Sequence, residues 1–225
     1  IFYQWKHRRK AWQNTLKSSS GTYAQLASFI DDQPPLFDSQ LPLVEKLIDM
    51  EEVRKVIKSQ KNNKASGLDE FPAELWKAIA SDEFALQHFV DFCNLCWTSG
   101  TIPNAWHKAN IVSIFKKGNA ELLKNYRPIS LLQVSYNIFA SIILRRLKDA
   151  GAEDRIWATQ FGFRSNFGTN DALFMIRRYI ENATASKCTP LYILALDWAK
   201  AFDSAAPEGP CDALRRFGIP FEVCK

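Results

Sequence analysis

The sequence predicts an α+β fold, and three observations carry that prediction. Apolar residues recur at helical spacing in several segments, only two short runs read as strands, and the two kinds of element do not alternate in a regular repeat. The 225 residues are 47% hydrophobic and 24% charged, ordinary globular usage with enough apolar surface for a sizeable core. Nine Gly and ten Pro are too few for a fibrous or low-complexity chain. No apolar run reaches the roughly 18–20 residues that span a bilayer; the longest, 138–144, stops at Arg145 and Arg146. The chain opens on Ile1 with no signal-peptide pattern and reads as a piece of a longer protein.

The elements follow in order. Residues 1–17 are basic and aromatic, with Trp5 and Trp12, and read as a helix of an upstream domain. Residues 18–42 contain Ser18-Ser19-Ser20-Gly21 and Gln33-Pro34-Pro35, which suit a linker with one short helix over 22–30. The stretch 1–42 is therefore expected to be an N-terminal extension and linker. Asp49 can cap a helix and Glu52 completes a capping box; Val53, Val56 and Ile57 form its apolar face, and it ends near Gln60. Residues 61–69 are polar with one Gly and read as a loop. Pro72 fits the first turn of a helix that runs to about Ala80, because its missing N–H costs nothing there. A strongly apolar helix over 83–97 ends at Ser99-Gly100. Residues 110–115 form a short strand closed by a Lys117-Gly118-Asn119 turn, and 125–130 read as a loop fixed by Pro128. The longest helix, 131–148, turns Leu131, Leu132, Val134, Ile138, Ile142 and Leu147 inward and stops at Gly151. Another covers 169–182, capped by Thr169 or Asn170. Residues 191–196 are almost wholly apolar and predict a strand buried on both faces. A last helix spans 206–217 and ends at Gly218.

Charge is unevenly placed within a net of +5. Residues 106–148 carry eight Lys/Arg against one Glu, a net of +7, so the rest of the chain sums to −2. With Trp106, Phe115, Tyr126 and Tyr136 interleaved, this block suits a polyanion partner; a set of solvated helix faces fits the charge as well. The five Cys (93, 96, 188, 211 and 224) sit mostly in apolar segments and point to a reducing, intracellular compartment rather than a disulfide framework. Cys93-x-x-Cys96 lies one turn apart on an apolar helix between Phe92 and Trp97, which favours buried free thiols over a zinc site.

The sharpest chemical feature is Leu194–Ser204, LALDWAKAFDS. An apolar strand that ends in Asp197 places a carboxylate where burial is costly without a partner. Hard divalent ions take carboxylate oxygens together with phosphate and water, so this pattern suits metal-dependent phosphoryl transfer. A plain cap on the turn that follows is the alternative.

The segment resembles the first catalytic motif of reverse transcriptases from non-LTR (LINE-like) retrotransposons. Further blocks match in the family's order: Lys64-Ala65-Ser66-Gly67-Leu68-Asp69 followed by Phe71-Pro72-Ala73-Glu74; Ile102-Pro103-x-x-Trp106; Ile114-Phe115-Lys116-Lys117-Gly118; NYRPISLL over 125–132; QFGFR over 160–164; and ALRRFGIP over 213–220. The resemblance covers about residues 49–220. It implies a partial right-hand polymerase fold over 43–225, fingers plus the first palm strand, and an RNA-directed DNA polymerase (a nucleotidyltransferase) that extends a DNA 3′ end on an RNA template.

By resemblance, Asp197 matches the metal-binding catalytic carboxylate. Phe202, with Ala201 before it, matches the aromatic position beneath the incoming sugar; a core aromatic is the alternative. Arg127 and Arg164 match finger residues near the triphosphate, where a guanidinium fork can hold phosphate oxygens; surface salt bridging is the alternative. Lys116, Lys117 and Lys124 match a basic finger segment that contacts nucleic acid. The implied cofactor is Mg²⁺, with Mn²⁺ as its substitute, and the implied partners are template RNA, primer DNA and deoxynucleoside triphosphates, in the nucleus at the integration site. The family's remaining carboxylates lie in an aromatic-x-Asp-Asp hairpin that this sequence does not contain; Asp31-Asp32 lies far upstream beside a Pro-rich linker. The chain departs from the family pattern at Ser66, Trp198, Pro207, Gly209 and Pro210, which keeps open a non-catalytic, nucleic-acid-binding remnant. On either reading the chain alone is expected to be inactive.

Overall fold

The computed structural model describes residues 36–37, 39–42, 46–185, 190–197, 208–220 and 223. The helices predicted over 1–17 and 22–30 lie outside the described residues. The described elements are α1 (Met50–Ser59), α2 (Ala73–Ile79), α3 (Glu83–Ser99), β1 (Asn110–Phe115), β2 (Tyr126–Leu131), α4 (Val134–Asp149), α5 (Thr169–Ala185) and α6 (Glu208–Arg216). The architecture is a mixture of helices with one two-stranded sheet. Contacts divide the chain into two compact units, one of Pro42–Ala150 and one of Ile1–Leu41 with Gly151–Lys225. Among the described residues no helix is long and apolar enough to cross a membrane.

The unit Pro42–Ala150 is built on α1 to α4. Asp49 accepts a hydrogen bond from the Glu52 N–H at 2.8 Å, which holds its carboxyl below the usual carboxylate range, helped by Lys46. The Glu52 carboxylate does not close the expected capping box. It grips Arg146 of α4 instead, with Oε1 2.8 Å from Nε and Oε2 2.8 Å from Nη2. Arg146 also donates to the carbonyls of Lys46 and Leu47, and its guanidinium lies 5.1 Å from the centre of the Trp97 ring. A buried charge is tolerable only when paired and hydrogen-bonded in this way.

Asp82 caps α3 through the Ala85 N–H, and Gly100 ends it at φ 65°. The core joins Val53, Val56 and Ile57 of α1 with Leu86, Phe89, Val90, Cys93 and Cys96 of α3 and with Ile138, Phe139 and Ile142 of α4. Cys93 and Cys96 are free and buried, and burial pushes the Cys93 thiol up to about 12. Trp106 joins this core and donates its indole N–H to the Ser135 hydroxyl at 3.0 Å.

Two boundaries differ from the sequence expectation here. Pro72 caps α2 from outside rather than sitting in its first turn. The helix expected over 131–148 begins at Val134, not 131, because Leu131 ends strand β2, and at 16 residues it is one shorter than α3 and α5 rather than the longest; 125–130 is thus largely a strand, not a loop. Pro128 is compatible with it. Lys116 N–H donates to the Asn125 carbonyl at 2.8 Å, and Ser113 faces Pro128 in the same register. Hydrogen-bonded pairs alternate along an antiparallel ladder, so Pro128 falls on a position whose N–H points away from the partner.

In the other unit, α5 starts where predicted and ends three residues later than the expected 182, at Ala185. Its first turn is closed by Asp171, which accepts from the Gly168 N–H at 2.7 Å, rather than by Thr169 or Asn170. α6 starts at Glu208, which leaves Pro210 in the first turn where proline is tolerated. The predicted strand 191–196 is not found. These residues lie outside any ladder among the described residues, and Tyr192, Leu194 and Leu196 are 88%, 82% and 74% exposed. An apolar strand is buried on both faces only when neighbours pair with it, and the described residues supply none.

Candidate nucleic-acid interface

The hairpin β1–β2 carries the basic residues. Its strands pair antiparallel, with Ile114 opposite Arg127 and Phe115 opposite Tyr126. Side chains directly opposite share a face. Arg127, Ile114, Val112 and Ile129 therefore occupy one face, and Lys116 continues it. Phe115 and Tyr126 occupy the other, with ring centroids 5.3 Å apart. The tip is shaped by Gly118 at φ +94° and by Asn125, whose side-chain amide donates to the Asn119 carbonyl at 2.7 Å. The Tyr126 hydroxyl donates to the Ala120 carbonyl. Both faces are open to solvent: Ile111, Val112, Ile114 and Phe115 are all exposed.

Lys116, Lys117 and Arg127 are exposed. Arg127 stands apart in one respect. Arg54, Arg145, Arg146, Arg177, Arg178 and Arg215 pair with carboxylates. Arg155 and Arg164 donate to backbone carbonyls, and Arg216 also has a partner. Among the described residues Arg127 is the arginine without one.

Arg164, by contrast, is engaged within its own loop. It is half-buried, donates to the Trp157 carbonyl at 3.2 Å and stacks 4.4 Å from the centre of the Phe167 ring. Asp197 is exposed at the end of 190–197. The segment before it and α5 line a cavity of about 260 Å³ with Ile176, Tyr179, Leu191, Tyr192, Ile193 and Leu194. Ala201 and Phe202 lie outside the described residues, as does the side chain of Lys124. Arg127 and the lysines belong to the unit Pro42–Ala150, whereas Arg164 and Asp197 belong to the other. Among the described residues no three His, Cys, Asp or Glu side chains form a metal-holding group. Asp197 as placed is a single carboxylate and does not by itself make a two-ion site.

Residues 114–225 match the family model described as reverse transcriptase (RNA-dependent DNA polymerase). The match begins inside β1 and takes in the whole of β2, Arg164 and Asp197. The chain belongs to the reverse transcriptase family. It is 30% identical over 181 residues, 77% of its length, to the Transposon TX1 uncharacterized 149 kDa protein of Xenopus laevis. It is 30% identical over 187 residues, 81% of its length, to the probable RNA-directed DNA polymerase from transposon BS of Drosophila melanogaster. It is 33% identical over 156 residues, 68% of its length, to the probable RNA-directed DNA polymerase from transposon X-element of the same species. The matched part spans 13%, 20% and 17% of those relatives, so this reverse transcriptase chain corresponds to less than a quarter of each. Each of these three relatives is named for a transposon.

Two features of this reverse transcriptase chain were not foreseen. Arg146 reads in sequence as one more cation on a helix, and nothing local marks it as the buried partner of Glu52. Gly67 reads in sequence as one member of a motif block, yet its backbone lies against Leu132 and Gln133. A Cβ there would come within 2.7 Å of the Gln133 nitrogen. Two distant motif blocks thus meet at the start of α4, and the contact requires glycine.

Proposed function

We propose that the chain forms the fingers and the first palm segment of a non-LTR retrotransposon's RNA-directed DNA polymerase, with residues 43–225 as its share of a right-hand fold. The observation that carries this reading is the β1–β2 hairpin: an exposed ribbon whose Arg127, Lys116 and Lys117 side chains have no partner among the described residues, and which the region matching the reverse transcriptase family takes in from Ile114 onward. In such a polymerase the DNA 3′-hydroxyl attacks the α-phosphorus of a deoxynucleoside triphosphate and pyrophosphate leaves. Almost all the protein's work is to position and neutralise phosphate. Arg127 suits that task because its planar fork stays charged and holds two phosphate oxygens at once. Lys116 shares its face, and Lys117 and Lys124 extend the cationic surface toward template RNA and primer DNA. Arg164 contributes from its loop.

In this reading Asp197 is one ligand of the catalytic Mg²⁺, for which Mn²⁺ can substitute, and the other carboxylates come from the remainder of the polymerase. The exposed apolar run 191–196 supports that view, since it has the composition of a central strand awaiting neighbours. Phe202 and Ala201 would line the sugar of the incoming nucleotide. The site of action is the nucleus, at the integration site.

Fluorescence anisotropy of the 225-residue chain with an RNA–DNA hybrid at several salt concentrations tests the interface. Neutralised phosphates release counterions, so affinity is expected to fall steeply with salt, and Arg127→Ala to weaken it. An affinity indifferent to both would overturn the proposal. Primer extension by the chain alone is expected to give no product, because one carboxylate source is not enough.

A further inference from the structure

The end of α6 is capped by a part of the chain far away in sequence. α6 closes with Gly218 at φ +87°, where the Gly218 N–H donates to the Arg215 carbonyl and the Ile219 N–H to the Leu214 carbonyl. This closing pair of bonds is a Schellman motif, which leaves the carbonyls just past it without helical partners. Three in a row are taken up from elsewhere. The Leu36 N–H donates to the Arg216 carbonyl at 3.0 Å and the Leu41 N–H to the Gly218 carbonyl at 2.7 Å. Between them, Arg155 Nη1 donates to the Phe217 carbonyl at 2.9 Å.

Arg155 ties the two sides together. Its Nη2 reaches the Ser39 hydroxyl at 3.3 Å, and its guanidinium lies 4.7 Å from the centre of the Phe37 ring. Phe37 meets Phe217 edge to face at 5.4 Å. Leu41 and Ile219 are each 4% exposed. A cation at the C-terminal end of a helix is also favoured by the helix dipole.

We infer that residues 36–37 and 39–41 form a strap that Arg155 locks onto the C-terminal end of α6, coupling the segment before the first helix of the polymerase to the element that follows Asp197. The folded domain then begins at or before Leu36 rather than at 43. The strap stands on backbone geometry and does not depend on the polymerase reading. Its consequence is conformational: displacement of this strap by whatever precedes it releases the Arg216 and Gly218 carbonyls at once and takes Ser39 and Phe37 away from Arg155, the donor to the Phe217 carbonyl.

Hydrogen exchange on the full 225-residue chain tests this, with Arg155→Ala, Arg155→Lys and Phe37→Ala beside the wild type. Removing a charge-assisted bond should speed exchange of the Leu41 amide and of 213–219 by roughly tenfold or more in Arg155→Ala. Arg155→Lys should give a smaller increase, since it keeps the charge and one donor but loses the fork and the stacking surface. Phe37→Ala should move the same amides. Peptides of α1, α3 and α4 report the other unit and should not change. Exchange of 213–219 within twofold of wild type in both Arg155→Ala and Phe37→Ala would overturn the strap. If Arg155→Ala also loosens α1, α3 and α4, Arg155→Lys and Phe37→Ala decide by the same criterion.

Discussion

The two units of the chain treat similar apolar sequences in opposite ways. In Pro42–Ala150, Ile138 and Ile142 of α4 are fully buried in the core that α4 shares with α1 and α3, and even Arg146 on the same helix is covered and paired. In the other unit, α5 has no buried residue, and Leu173, Phe174 and Tyr179 are 57%, 62% and 59% exposed. Residues 191–196 are as apolar as any strand interior and equally uncovered. A helix stripe is satisfied by two neighbouring helices that this stretch of chain itself provides. A central strand is satisfied only by other strands, paired edge to edge. The first unit therefore carries a completed core, whereas the described residues of the second leave much of its apolar surface uncovered.

This contrast can be broken first at its most buried charge. Arg146→Ala should destabilise the Pro42–Ala150 unit by about 3–5 kcal/mol, because it leaves the Glu52 carboxyl group covered and without its partner. A joint Arg146→Met and Glu52→Leu replacement should recover most of that loss. Thermal melting followed by circular dichroism measures both. Single-variant stability close to wild type would show that the pair is solvated rather than buried.

Matched truncations sharpen the comparison. Ile138→Ala should cost about 2–5 kcal/mol, as for other fully buried aliphatic side chains. Leu194→Ala, of the same chemical kind but largely exposed, should stay within about 0.5 kcal/mol. Equal losses on urea denaturation would mean that 191–196 is packed after all.

The smallest effect lies at the first cap. Asp49→Ala should cost about 1 kcal/mol through loss of the α1 N-cap. The folded carboxyl titrates below its unfolded value. Its contribution is therefore present above about pH 3.9 and is lost as pH falls through the lower folded pKa. Asp49→Asn should flatten that part of the acid stability profile, and an unchanged profile would remove the cap from the explanation.

The helical unit was largely legible in sequence because its signals are local. Asp49 before Val53 and Gly100 after Ser99 mark ends by capping chemistry, and the apolar spacing marks faces. Strand β2 was not legible: Pro128 argues locally against a ladder, and only the register with β1 shows that its missing N–H falls on the free side. The strand over 191–196 failed for the reverse reason, since apolar composition states what a segment needs and not whether its partners are present. For the interface, the motif order pointed to Arg127 and the lysines, and no local signal sets Arg127 apart from the other described arginines, whose partners come from the fold. The strap of 36–37 and 39–41 had no sequence signal, because backbone N–H groups do the capping and any residue except proline supplies one.

Asp197 is the residue on which the polymerase reading turns. Single-turnover incorporation of one deoxynucleotide by the polymerase that contains this chain, wild type against Asp197→Asn, tests it most directly. The amide keeps size and one oxygen but removes the charge that holds the metal, and that charge stabilises the transition state far more than bound template. The predicted result is a loss of roughly a thousandfold or more in rate, with affinity for the RNA–DNA hybrid within about twofold of wild type. Near-normal turnover in Asp197→Asn would contradict the assignment and leave the carboxylate as a cap on the turn that follows.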